Sequence, residues 1–284
     1  MTSPALSSAS VPSPDELLDE LGISEPSEID LETIAAYCGA TIVHEPLDGC
    51  AAQIVGHGDR AIITVDARAR RERRRFSAAH ELGHWMHDRG RVAFACTTGN
   101  FTRDWHEGSR ERRANRYGAE LLLPTKIFGP RARGLPATLE ATRELASTFE
   151  TSLTATAIRL VELGAHLAMV VCCDGGKLAW FARSRDVPRA LWPVEHPGQD
   201  TVAAQLLTDA AKVGPRHVSA DEWISHEDAH RYTIHEDSVV VQPNLTLTLL
   251  WWDDEQQILD FEDAESDDRE PLTGHLSFPA RRRR

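Results

Sequence analysis

The feature that most restricts how this chain can fold is the segment 80–84, which reads His-Glu-Leu-Gly-His. On an α-helix, His80 and His84 lie one turn apart, so both imidazoles project from one face and can reach a single ion. Glu81 lies about 100° around the helix axis from His80, beside such an ion rather than on it. There its carboxylate can take a proton from a coordinated water. The pattern therefore requires a helix here and a third ligand brought to it from elsewhere.

The residues around this motif carry the signals of a strand followed by a long helix. The run Ala61–Val65 is uncharged and rich in β-branched residues, which predicts a strand. A helix is predicted from a start within residues 67–72 to Asp88, with Gly90 as its stop signal. The motif thus falls in the second half of a helix that follows a buried strand.

The third ligand is expected on a second helix, Arg110–Leu123, which Pro124 ends because proline disfavours helical geometry in the residue before it. Glu111 shares one face of this helix with small and apolar residues, where an unpaired carboxylate would be costly to bury. A metal ion would supply its partner. Asn115, one turn later, is placed to fix the tautomer of a ligating imidazole. The alternative ligands are His57, His87, Glu107 and Glu120.

The remaining elements follow from periodicity, capping residues and turn signals. Further helices are predicted at Asp15–Leu21, Asp30–Cys38, Leu139–Phe149 and Ser152–Leu163, and further strands at Thr41–His44, Ala51–Val55, Val92–Ala95, Leu167–Cys172 and Lys177–Phe181. The last two helices are separated by two residues, which is the outline of a helix-turn-helix. The last two strands flank an Asp-Gly-Gly turn and predict a hairpin. Val239–Trp252 is a second apolar, β-branched stretch.

Composition divides the chain into segments. At about 150 residues per domain, the length of 284 residues suggests roughly two domains. We expect a disordered Ser/Pro/Ala-rich tail at 1–14, a core at 15–130, a helix-turn-helix-like segment at 131–164, a strand-containing domain at 165–252 and a flexible acidic tail at 253–284.

Charge and cysteine content exclude several classes of protein. The net charge of −13 opposes nucleic-acid binding through a globally basic surface, although arginines within 68–75 leave a local basic face. Five cysteines without CxxC spacing argue against a disulfide scaffold or a cysteine-rich zinc module, and favour a reducing cytoplasm. The apolar run Ala165–Cys173 is about half the length of a membrane span. Residues 1–14 lack the pattern of a secretory signal.

Two quoted stretches carry a family resemblance. RRRFSAAHELGHWMHD, followed by ERRANRYGAELLLP, resembles the ImmA/IrrE family of bacterial and phage metallopeptidases. That family shows an arginine-rich lead-in, an AHELGH-like helix with a further histidine, and a second helix similar to E…AN.FA.ELLMP. The resemblance runs from about Ala61 to Leu163. It departs at Tyr117-Gly118, where the family has Phe-Ala, and at Leu123, where it has Met.

The resemblance implies a zincin-like metallopeptidase core followed by a helix-turn-helix-like segment. Together with the strands predicted after Leu163, this gives an expected α+β fold with a C-terminal mixed α/β or β-rich domain. The resemblance also implies that His80, His84 and Glu111 bind the metal and that Glu81 is the general base of a zinc-dependent metalloendopeptidase. A set of two histidines and one carboxylate also suits Mn²⁺ or Fe²⁺. The candidates for further oxyanion stabilisation are Tyr117, His87 and His106.

The implied partner is a cytoplasmic protein substrate, a helix-turn-helix repressor of the Xre or phage type, with no membrane involved. One alternative is a DNA-binding regulator, but Ser152–Leu163 offers only Arg159 as a basic residue, so direct DNA binding is not expected. Another is a non-catalytic interaction protein that keeps the metallopeptidase fold.

Overall fold

The computed structural model describes residues 11–89, 94–97, 110–208, 214–252 and 257–258, and it is an α+β protein. Its α-helices are α1 (Pro14–Glu20), α2 (Leu31–Tyr37), α3 (Arg71–Asp88), α4 (Arg110–Leu122), α5 (Thr125–Arg133), α6 (Leu139–Phe149), α7 (Leu153–Leu163) and α8 (Val202–Thr208). Its strands are β1 (Ala40–Glu45), β2 (Cys50–His57), β3 (Arg60–Asp66), β4 (Phe94–Thr97), β5 (Ala168–Asp174), β6 (Lys177–Arg183), β7 (Arg216–Ser219), β8 (Thr233–Gln242) and β9 (Leu245–Trp251).

Two compact units divide the chain. The first takes the residues up to Phe128 together with Ser147–Ser152, and the second takes Gly129–Ala146 and the residues from Leu153 onward. Each unit has its own sheet, so each has its own core. The expected α+β class with a β-rich C-terminal part is confirmed.

The sheet of the first unit has the strand order β1-β3-β2-β4. Strand β1 runs parallel to β3, whereas β2 is antiparallel to both of its neighbours. Buried side chains alternate along β2, where Ala52 and Ile54 face the interior while Val55 is exposed. This alternation is typical of a sheet with one covered face, and the covering element is α3.

The position of α3 on this sheet depends on a close contact between a strand glycine and an aromatic ring of the helix. A Cβ added to Gly56 on β2 would lie 2.7 Å from the Trp85 ring. Trp85 is 3% exposed, and its indole N–H donates to the Cys38 carbonyl at 2.8 Å. The aromatic ring therefore fills the space beside a strand glycine while its polar edge is satisfied by backbone.

The first unit also confirms a predicted helix start. Asp30 precedes α2, and its carboxylate accepts from the Thr33 backbone N–H at 3.3 Å, as an N-cap residue does. Gly39 follows the helix at φ +80°, and a Cβ there would lie 2.6 Å from the Asp59 carbonyl oxygen. Glycine is required at this turn for both reasons.

The second unit contains an antiparallel sheet of strand order β6-β5-β9-β8-β7, buried on both faces. One face packs on helix residues that include Leu139 of α6 and Ala157 of α7. The other packs on a cluster that includes Trp223 and Leu191. The predicted hairpin is present as β5 and β6.

Several elements add detail that the sequence did not predict. The apolar stretch Val239–Trp252 contains the end of β8 and all of β9, because the chain reverses at Asn244, which has a φ of 63°. Helix α5 begins directly after Pro124 and was not predicted. Strand β4 overlaps the predicted strand at Phe94 and Ala95, and residues 92–93 lie outside the described residues.

Other expectations lie wholly or partly outside the described residues. These are the tail at 1–14, of which residues 11–14 are described, the residues 98–109 with His106 and Glu107, and the acidic tail, of which only 257–258 are described. Among the helices that the structure does describe, none is long and apolar enough to cross a membrane.

Candidate metal centre

Helix α3 carries the histidine motif on its buried half. All residues from Ser77 to Met86 are buried, and the exposed fractions of His80, Glu81 and His84 are 0%, 0% and 2%. The N-terminal turn holds the arginines, of which Arg71 and Arg75 pair with Glu150 at 2.6 and 3.4 Å. Charged residues therefore hold the start of the helix at the surface while the motif lies in the core.

Two glycines allow α4 to lie unusually close to α3. A Cβ on Gly83 would be 2.9 Å from the Ala114 carbonyl oxygen, and one on Gly118 would be 2.9 Å from the His80 backbone nitrogen. Any larger side chain at either position would push the two backbones apart. The close approach brings Glu111, in the first turn of α4, to the histidine face of α3.

Three side chains of these helices converge on one point. The two histidine Nε2 atoms lie 3.1 Å apart. Glu111 Oε2 is 3.4 Å from Nε2 of His80, and Glu111 Oε1 is 3.3 Å from Nε2 of His84. Within the part of the chain that the structure describes, these residues form the one group of three or more potential metal ligands.

Glu111, His80 and His84 change one another's pKa values. Hydrogen bonds with His80 and His84 hold the pKa of Glu111 far below its ordinary value, although burial acts against them. Burial lowers the pKa of His80 and favours the neutral ring that a metal needs. Burial also acts to lower the pKa of His84, but Glu111 and the carboxylates around it raise the net value.

Glu81 lies at the edge of this group. Its carboxylate is fully buried and close enough to His84 to contribute to raising the pKa of that ring. The pKa of the Cys50 thiol on β2 is raised mainly by burial and next by the charge of Glu81. A buried carboxylate beside converging ligands, and not among them, is suited to accept a proton from a molecule bound at the centre.

Each histidine has a polar neighbour behind it. The Asn115 side chain faces His80 and acts to raise the pKa of that ring. On the other side, Asp88 Oδ2 lies 3.9 Å from Nδ1 of His84. The sequence predicted Asn115 as a neighbour of a ligating histidine from its spacing, but Asp88 was not predicted in such a role. Its position four residues after His84 on the same helix face is the sequence signal that could have found it.

Of the four alternative ligands, Glu107 lies outside the described residues and the other three lie away from the group. Glu120 binds Arg116 at 2.9 Å, and His57 is exposed at the end of β2. His87 is exposed and packs edge-on against the Tyr117 ring, with 5.5 Å between ring centroids. Burial raises the pKa of the Tyr117 hydroxyl. The structure thus gathers His80, His84 and Glu111 and leaves these other candidates outside the group.

The donor set fits a small divalent ion. Ligand atoms bound tetrahedrally at about 2.0–2.1 Å lie about 3.3 Å from one another. The two Nε2 atoms are 3.1 Å apart, and each lies 3.4 or 3.3 Å from a different oxygen of Glu111. Two neutral imidazoles and one carboxylate supply one negative charge, which partly offsets the charge of such an ion. These residues are therefore able to hold a metal.

Comparison with known proteins gives a match to a family model and a similarity to a solved structure. Residues 35–161 match the family model Peptidase_M78, described as the IrrE N-terminal-like domain. A solved structure of a Mycobacterium tuberculosis transcriptional regulator is similar at a TM-score of 0.55 and 14% sequence identity, over 90% of this chain and 92% of that chain. At this identity the likeness concerns the fold alone. No curated protein is similar in sequence.

Proposed function

We propose that this protein is a metal-dependent endopeptidase, since residues 35–161 match the family model Peptidase_M78, described as the IrrE N-terminal-like domain. Its metal ligands are His80, His84 and Glu111, and its general base is Glu81. The observation that carries the proposal is the convergence of one ligand atom from each of these three residues, all within 4.8 Å of one another on two helices, beside a fully buried carboxylate.

The residues of the chain have separate tasks in this reaction. His80, His84 and Glu111 would hold a divalent ion, which would supply Lewis acidity to the reaction. Glu81 accepts the proton of the attacking water and delivers it to the leaving amine. Burial of His80 keeps its imidazole neutral and available as a ligand. The buried position of Glu81 excludes bulk water from the proton it carries.

Zinc is the proposed metal. Two histidines and one carboxylate, with the two Nε2 atoms 3.1 Å apart, are a donor set that would hold zinc. Mn²⁺ and Fe²⁺ also accept two histidines and one carboxylate, and the metal supply of the cell decides among them.

The proposed substrate is a helix-turn-helix transcriptional repressor of the Xre or phage type, cleaved in the cytoplasm. This proposal is supported by the ImmA/IrrE resemblance, which extends from the ligand helices into the helical segment after them.

A regulatory role without cleavage is the second candidate, and one observation favours it. The similar structure is named a transcriptional regulator, and it matches nearly the whole chain rather than the peptidase domain alone. Direct reading of DNA by α7 is disfavoured, because Ala157, Leu160 and Val161 are buried and the helix packs on the sheet of its unit. Arg159, the one basic residue of α7, pairs with Glu162 at 3.3 Å, so the helix offers little that could read base edges.

Incubation with a helix-turn-helix repressor encoded beside the protein, followed by mass analysis of the products, tests the proposal. We expect the zinc-loaded wild type to give one cleavage, and Glu81→Gln to keep zinc and the fold but lose turnover. Cleavage by Glu81→Gln near the wild-type rate would exclude Glu81 as general base. Binding of the repressor without cleavage by the zinc-loaded wild type would favour the regulatory role.

A further inference from the structure

Asp88 lies at a junction between the two ligand helices. It is the last residue of α3, one turn after His84, and its side chain is only 7% exposed. A carboxylate this buried needs charged or hydrogen-bonding neighbours, since an isolated one is costly. Asp88 has such neighbours on two sides, and they belong to different helices.

On the first side, Asp88 faces a proposed metal ligand. Nε2 of His84 points at His80 and Glu111, which leaves Nδ1 as the ring atom directed away from the centre. Asp88 Oδ2 lies 3.9 Å from that Nδ1. A neutral imidazole that binds a metal through Nε2 carries its proton on Nδ1, and a carboxylate behind it fixes that tautomer and the ring orientation.

On the second side, Asp88 faces the helix that carries Glu111. Its other oxygen, Oδ1, lies 3.8 Å from Nε of Arg110 and 3.8 Å from a terminal nitrogen of Arg113. These arginines flank Glu111 in the first turn of α4. One carboxylate thus faces His84 with one oxygen and the turn that carries the third ligand with the other.

From this geometry we propose that Asp88 is a positioning residue for the metal centre. It holds the His84 ring in the tautomer that presents Nε2, and it fastens the first turn of α4 so that Glu111 stays within reach. This inference rests on the proposed metal-binding function. It assigns to Asp88 no contact with metal or substrate.

A matched control is a carboxylate elsewhere in the chain that pairs with the same helix. Glu150 is a carboxylate that pairs with two arginines of α3, Arg71 and Arg75, but contacts no proposed ligand. Glu150→Gln therefore weakens arginine pairs on the ligand helix without affecting the environment of His84. Asp88→Ala and Asp88→Asn are compared with it in the full-length protein.

The first readout is zinc affinity, measured by competition with a chromophoric chelator. We expect Asp88→Ala to bind zinc about 10- to 100-fold more weakly than the wild type, as loss of a carboxylate behind a ligating histidine typically does. Asp88→Asn keeps an oxygen acceptor, so its zinc affinity should lie between those of Asp88→Ala and the wild type. Glu150→Gln should bind zinc as the wild type does.

The second readout separates positioning from a general loss of stability. In long-range ¹H–¹⁵N spectra of the zinc-loaded protein, the Nδ1 proton of His84 should shift in Asp88→Asn and stay unchanged in Glu150→Gln. Equal zinc affinity in Asp88→Ala and the wild type, with unchanged spectra, overturns the role of Asp88 and leaves the metal site standing. A wild type that takes up no zinc overturns both proposals.

Discussion

Replacement of Gly118 by alanine tests whether the close approach of α3 and α4 is what assembles the metal centre. The added Cβ would lie 2.9 Å from the His80 backbone nitrogen, 3.1 Å from the Ala79 carbonyl carbon and 3.2 Å from the His80 Cα. All three are backbone atoms, so no side-chain rotation can relieve the contact. The family pattern has alanine at this position, and by resemblance alone the substitution would be harmless.

The expected size of the effect follows from these distances. Unstrained contacts between such atoms are about 3.5–4.0 Å, so the helices have to separate by about 0.5 Å. Overpacking of this kind costs about 1–3 kcal/mol, and alanine in place of glycine in a helix returns about 1 kcal/mol. The free energy of unfolding should therefore fall by about 0–2 kcal/mol. The separation moves Glu111 away from the histidines, and we expect zinc affinity to fall by about tenfold or more.

The assay is zinc competition together with urea unfolding, with Gly214→Ala as the control. The same methyl group at Gly214 meets nothing within 4 Å, so that variant should bind zinc as the wild type does. If helix propensity alone decided the outcome, Gly118→Ala would bind zinc as the wild type does and would gain about 1 kcal/mol in stability. That result would refute the argument from helix separation.

Two further predictions concern the second unit and the thiols. Burial raises the pKa of Glu236 above its ordinary 4.5, so the stability that this carboxyl contributes is present below that pH and is lost as pH rises through the raised value. Urea unfolding between pH 4 and 8 should therefore show Glu236→Gln gaining stability relative to the wild type as pH rises, and a difference independent of pH would contradict this. Burial raises the pKa of Cys172 and Cys173 to about 12, so these thiols should resist a disulfide reagent at pH 8 until the protein unfolds. Of the four cysteines whose side chains the structure describes, Cys50 is partly exposed and should react first; rapid labelling of Cys172 in the folded protein would count against the packing.

Local signals were enough to predict much of the first unit. Asp30 and Gly39 mark the ends of α2, and the spacing of His80 and His84 requires one turn of helix between them, so these features follow from short stretches of sequence. The pairing of Glu111 with that motif was also inferable, because a carboxylate on a small-residue stripe needs a partner. The three candidate ligands could therefore be predicted from residue type and spacing on two helices.

Features that depend on tertiary packing were not predictable in this way. The separation of β8 from β9 depends on a positive φ at Asn244, which composition alone did not reveal within an apolar stretch. Asp88 reads as an ordinary surface carboxylate until the first turn of α4 brings Arg110 and Arg113 to it. The role of Gly118 becomes visible only when the backbone of His80 lies against it.

The most direct test of the account is the metal content of the purified protein, measured by elemental analysis beside His84→Ala and Glu111→Ala. The account predicts about one zinc per chain in the wild type after loading, and its loss in both variants, because each removes one of the three ligands of the proposed site. A wild type that cannot be loaded with zinc, manganese or iron would contradict it.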